Sequence, residues 1–170
     1  MLFEESGVKI DLTQRVHFNL ETCPAYRSLS GNHFKVIDIG WYEPASEIWY
    51  LVEVKDFRKH HFESRESVKY IINALTKKSI DSACMLMALQ VKSSYSAAIA
   101  ECLPPEFKIT ATSKFRFVHI LHCSASLEAQ MGFIKDEVQA RFTAYQKLFG
   151  IASCQVVSHE RAKRYLEVVS

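Results

Sequence analysis

The sequence predicts an α/β protein built on a mixed central sheet flanked by helices, and three observations carry that reading. Two β-branched and aromatic runs, residues 34–43 and 48–57, are separated only by Pro44-Ala-Ser-Glu47, which is how a β-hairpin reads. Downstream, stretches of helical period alternate with further apolar strands. Apolar residues make up 48% and charged residues 24% of the 170 positions, a balance that supports one domain with a substantial core and argues against disorder.

The elements follow in order. Val8, Ile10 and Leu12 alternate with Lys9 and Asp11, and Val16, Phe18 and Leu20 alternate with His17, Asn19 and Glu21, so each run is expected to be a strand. Residues 23–33 hold Pro24, Gly31 and several serines and read as a loop. The hairpin comes next. Beyond Arg58-Lys-His-His61 the period changes: Val68, Ile71, Ile72 and Leu75 follow helical spacing, and a second helical stretch covers about residues 80–90. Ser79 either caps the second helix or lies inside one continuous helix, and Pro104-Pro105 closes the region. Lys77-Lys78 is expected on the helix surface, and Met85 and Met87 in the core. Residues 114–123 form a strand, Ser126 caps a helix that runs to about Phe149, and Gly150 stops it. A short strand over 154–157 and a final helix from His159 complete the chain.

The bulk numbers exclude several classes. The net charge of +2 gives no argument for or against nucleic acid. No apolar run approaches the roughly 20 residues of a membrane span. The first residues lack the basic and apolar regions of a signal peptide, so a cytoplasmic protein is expected. The five cysteines (Cys23, Cys84, Cys102, Cys123, Cys154) contain no Cys-x-x-Cys pair and are expected to be reduced and mostly buried. With five glycines there is no phosphate-binding loop, dinucleotide fingerprint or Gly-x-Ser-x-Gly elbow. His17, His33, His119 and His122 show no zinc-ligand spacing.

The hairpin carries the chemistry. Side chains alternate along a strand, so Glu53 and Lys55 share a face with Leu51 and Phe57, while Tyr50, Val52 and Val54 line the other. A strand apolar on both faces is normally central and covered, and charges placed there need partners or a metal. If the hairpin pivots between Ala45 and Ser46, Asp38 lies across from Glu53, with Cβ atoms about 4.5–5.5 Å apart. Two carboxylates that close repel unless one is protonated or a cation lies between them. Such a pair beside an ammonium suits phosphodiester hydrolysis: Asp38 and Glu53 would hold Mg²⁺ or Mn²⁺, and Lys55 would orient or deprotonate water or offset transition-state charge. A structural salt bridge is the plainer reading of the same three residues. Asp56, on the other face, is expected to pair with Arg58 or meet solvent.

Ile37-Asp38, the hairpin and Val52-Glu53-Val54-Lys55-Asp56 together resemble the PD-(D/E)XK, or restriction-endonuclease-like, nuclease superfamily. The resemblance covers about residues 34–123 and implies a helix and a further strand after the motif, a Mg²⁺-dependent site formed by Asp38, Glu53 and Lys55, and DNA as partner. Ile37 stands where the family often has proline. The family core usually begins with a helix that supplies another acid, whereas this N-terminus reads as strands. Glu5 and Glu21 are the acids available to stand in. A catalytically inactive nuclease-fold module that binds nucleic acid or a protein partner is the alternative, and a homodimer is open. Weaker candidates for nucleic-acid contact are Lys114 and Arg116, which make one strand face basic between Phe115 and Phe117, and His60 and His61 after the motif strand.

Overall fold

The computed structural model describes residues 1–59, 65–91, 93–110 and 112–170. At the start, β1 (Leu2–Glu5) and β2 (Val8–Asp11) pair antiparallel through a turn in which Ser6 and Gly7 both adopt positive φ, 55° and 74°. Left-handed residues at both turn positions match the twist of two strands joined by two residues.

A separate five-stranded sheet forms the centre. Its strands are β3 (His17–Phe18), β4 (Ile39–Glu43), β5 (Ile48–Phe57), β6 (Lys114–Cys123) and β7 (Ser153–Ser158), hydrogen-bonded in that order. β3, β4 and β5 run antiparallel; β6 and β7 each lie parallel to the preceding strand. The two parallel joins need crossovers. α2 (Arg65–Ala88) and α3 (Ser94–Ala100) lie on the first, α4 (Ala125–Glu128) and α5 (Met131–Phe149) on the second. α1 (Pro24–Ser30) sits between β3 and β4, and α6 (His159–Tyr165) follows β7. The expected α/β class with a mixed, helix-flanked sheet is what the chain adopts.

Period-2 alternation divides the core. Trp49, Leu51, Phe115, Phe117 and Leu121 face the helix layer, where Ile71, Ile72 and Leu75 of α2 and Ile134, Val138 and Phe142 of α5 meet them. Tyr50, Val52, Val54, Val118 and Ile120 face the other way, against Val8 and Ile10 of the small hairpin and Ala162 of α6. No helix among the described residues is long and apolar enough to cross a membrane.

Several elements differ from the sequence expectation. Residues 24–30, expected as loop, are helical, because Pro24 occupies the first turn, where its missing N–H costs nothing and its fixed φ favours helix. The strand expected over 34–43 begins only at Ile39. α2 runs unbroken through Ser79, whose buried hydroxyl bonds His119 Nε2 at 2.7 Å and so needs no helix end. Ser124, not Ser126, stands at the N-cap of a short α4, and α5 then ends at Gly150 with φ 64°, as expected. Cys23 and Cys102 form a disulfide, which corrects the expectation that all cysteines are reduced; Cys84, Cys123 and Cys154 are free thiols.

Candidate active site

The β4–β5 ladder pairs Ile39 with Val52 and Gly40 with Leu51. Asp38 lies one residue before the ladder, in a bend, at the position that continues it toward Glu53. Gly40 keeps this corner close: a Cβ there would stand 2.3 Å from Phe18 Cζ, so the neighbouring strand can approach only a glycine. Asp38 is not left to solvent; its Oδ2 accepts the Val54 N–H at 2.7 Å and it is 4% exposed.

Asp38 and Glu53 reach the same cation. Lys78 Nζ, from the inner side of α2, donates to Asp38 Oδ1 at 3.0 Å and to Glu53 Oε2 at 2.5 Å. Lys55 Nζ lies 2.8 Å from the other oxygen, Glu53 Oε1, which is buried and has no hydrogen bond of good angle. Glu53 is fully buried, whereas the Lys55 side chain is 39% exposed. Burial, then the Asp38 charge, raises the Glu53 carboxyl; Lys78 and Lys55 pull against that rise. Burial also works to lower the Lys78 ammonium, but Glu53 and Asp38 outweigh it and hold the lysine protonated.

Lys78 is the residue that the sequence reading misplaced. Lys77 is indeed on the surface, paired with Asp81 at 2.7 Å, but Lys78 turns inward. The available signal was its place in the stripe Ile71-Leu75-Lys78-Ser82, at helical spacing on the buried face of α2.

Beside Glu53 and Lys78 opens a cleft of about 780 Å³, lined by both and by Lys35, Lys55 and Lys77, with Asp38 buried behind its wall. Glu21 lines it as well, its carboxyl raised by desolvation and then by the Asp38 charge. Of the two acids that could stand in for the one a first helix would supply, Glu21 is therefore the one beside the site. Glu5 is exposed on β1 and lies outside the cleft lining.

No family model, curated protein or solved structure matches this chain.

Lys114 and Arg116 do not join the cleft. Arg116 pairs in register with Tyr50 and belongs to the opposite sheet face, and Lys114 borders a separate depression with Glu47 and Glu106. His60 and His61 lie outside the described residues. Asp56 pairs with Arg58 at 2.7 Å, as expected, but it also lines the cleft, although its side chain was expected on the other face.

The donors suit a hard divalent cation in two respects. The Lys78 ammonium already marks a cation position between two carboxylate oxygens, and Glu53 Oε1 is a buried oxygen whose neighbour, the Lys55 ammonium at 2.8 Å, makes an ion pair but no hydrogen bond of good angle. Among the described residues no group of three or more His, Cys, Asp or Glu side chains is spaced to hold a metal. Mg²⁺ does not require one, since it binds through one or two carboxylates and keeps several waters.

Proposed function

We propose that this chain is a metal-dependent nuclease of the PD-(D/E)XK kind, hydrolysing phosphodiester bonds of DNA. The observation that carries the reading is the convergence of Asp38 Oδ1 and Glu53 Oε2 on one cation position, with Lys55 on Glu53's other oxygen, beside an open cleft. The order of elements agrees with it: an antiparallel β4–β5 pair with Glu53 and Lys55 on β5 and Asp38 one residue before β4, then helix α2, then parallel strand β6.

Asp38 and Glu53 would hold Mg²⁺ or Mn²⁺, which when bound lowers the pKa of water and polarises a phosphate oxygen. The Val54 N–H holds Asp38 Oδ2, so the other oxygen, Oδ1, stays aimed at the cation position that Lys78 occupies. Lys55, partly in solvent, would hold a proton near the attacking water or stabilise charge on phosphorus. Lys35 and Lys77 on the cleft wall favour the phosphate backbone. Lys78 must leave the carboxylates when a metal enters, and its long stem allows that.

The inactive-module reading has one observation in its favour: Lys78 and Lys55 already neutralise both carboxylates, so the group is a satisfied salt bridge without any metal. Cleavage of plasmid and oligonucleotide DNA with Mg²⁺, by wild type and by a folded Lys55→Ala variant, separates the two. Nicking that Lys55→Ala abolishes supports the nuclease; no cleavage by the wild type, or cleavage that Lys55→Ala leaves unchanged, removes it. A cytoplasmic location belongs to the same proposal, and the Cys23–Cys102 bond counts against it. Thiol titration of protein isolated without reductant tests it, because a persisting Cys23–Cys102 bond points to an oxidising compartment.

A further inference from the structure

A second cavity, of about 450 Å³, opens beside edge strand β7, under α6 and the start of β6. We propose that it binds a phosphate-bearing ligand of nucleotide size. It wraps the β7 edge and shares no lining residue with the Glu53 cleft: Tyr50 and Val118 in its wall belong to the core layer on the α6 side, whereas Cys154 and Val156 belong to the layer under α5, which contributes the exposed Lys135. The proposal goes beyond the nuclease reading and does not depend on it.

Among the described residues, three cations line the cavity, Arg116, Lys135 and Arg161, and no acidic side chain does. None of the three makes an ion pair among the described residues. Arg116 is half-buried; one terminal nitrogen donates to the Tyr50 hydroxyl at 3.0 Å, the guanidinium lies 5.4 Å from that ring's centre, and Nε is buried with no acceptor. Ser153 Oγ, in the same wall, is also buried without a partner. Like charges converging on one hollow repel, and a charged donor out of water without an acceptor is costly. An anion in the hollow relieves both. Guanidinium groups favour phosphate, because their donors match its oxygens in pairs.

The rim adds a second kind of contact. Arg161 lies 5.2 Å from the centre of the Tyr165 ring and donates to its hydroxyl at 3.2 Å, and both residues are exposed. A ring braced by a guanidinium is a stacking platform for a base, and it is tolerant of which base. Phosphate on Arg116 and Lys135 with a base at Tyr165 is a nucleotide's arrangement, and the volume is that of a small-molecule site.

The test is calorimetric titration of the full chain, in EDTA so that nothing is hydrolysed, with dAMP and with a single-stranded oligodeoxynucleotide. Wild type, Arg116→Gln and Arg161→Gln are compared, with melting temperatures to confirm folding; Arg161 is exposed, so its variant keeps the test valid if Arg116→Gln does not fold. Saturable dAMP binding, weakened about tenfold or more by either variant, supports a free-nucleotide site, that being the scale of one lost charge-assisted contact. Oligonucleotide binding weakened by the variants, with dAMP not bound, supports the same site reading a strand's phosphates. If neither ligand binds, or if the variants bind as wild type does, the proposal is overturned.

Discussion

Lys78 Nζ lies 2.5 Å from Glu53 Oε2, an ion pair in which the carboxylate is fully buried and the lysine side chain is 14% exposed. The same nitrogen contacts Asp38, so one helical lysine lies between two carboxylates, one on β5 and one in the bend just before β4. Replacing Lys78 with Met removes that compensation, and breaking a buried pair from one side costs about 3–5 kcal/mol. Urea melts near neutral pH should show this loss. Added Mn²⁺ should recover part of it and stabilise the variant more than the wild type. No Mn²⁺ effect on either protein would exclude metal binding by these carboxylates.

His119 makes the fold acid-sensitive. It is fully buried, in register with Glu53, and burial, followed by the Lys78 charge, lowers its pKa from 6.5 to about 3. The unfolded chain takes up the proton first, so the stability that neutral His119 contributes is complete above pH 6.5 and is lost as pH falls toward 3. In that window wild type should lose up to about 1.4 kcal/mol per pH unit more than His119→Gln, which can still bond Ser79. Urea midpoints of both proteins across the window decide it; parallel curves would contradict a neutral buried histidine.

Gly40 should not tolerate a methyl group. Its Cβ would meet Phe18 Cζ at 2.3 Å, and that ring is itself packed against Trp49 and Phe107 at centroid distances of 5.9 and 5.1 Å. Gly40→Ala is expected to cost about 1–3 kcal/mol through overpacking. In a Phe18→Leu background the same change should cost measurably less, because the two sites share one volume. Equal costs in both backgrounds would show that the clash is not with Phe18.

The Cys23–Cys102 bond ties the start of α1 to the segment after α3 across a sequence separation of 79. Cross-links over loops of that size stabilise by about 2–4 kcal/mol, mainly by restricting the unfolded chain. Cys102→Ser, or reductant with wild type, should lower the unfolding free energy by that amount. Reductant should then have no further effect on Cys102→Ser. Identical denaturation of wild type with and without reductant would show that the bond contributes nothing.

Local pattern was enough to determine the hairpin at the heart of the molecule. Two β-branched runs and a short turn set the pairing of Ile39 with Val52, and period-2 alternation then put Glu53 and Lys55 on one face with Asp38 at matching register. The same alternation failed at residues 34–38, where apolar spacing resembles strand but no neighbour is paired. It could not see α1, because a proline and serines read as loop until the proline is known to sit in a first turn.

Tertiary structure alone decided what surrounds that hairpin. Lys78 meets Asp38 and Glu53 across 40 and 25 positions, and Cys23 finds Cys102 across 79. Such contacts depend on how helices pack over a sheet, and no residue's immediate neighbours encode that. For the same reason Ser79 could be read as a helix cap, although in the fold its hydroxyl is taken up by His119. The sequence by itself therefore determined that the two hairpin runs pair and which of their side chains share a face, since both follow from backbone geometry repeated every two residues. Which cation would lie between the two carboxylates, and which acid would border them, was decided only when α2 and the Glu21 turn were brought onto that face by burial of the apolar core.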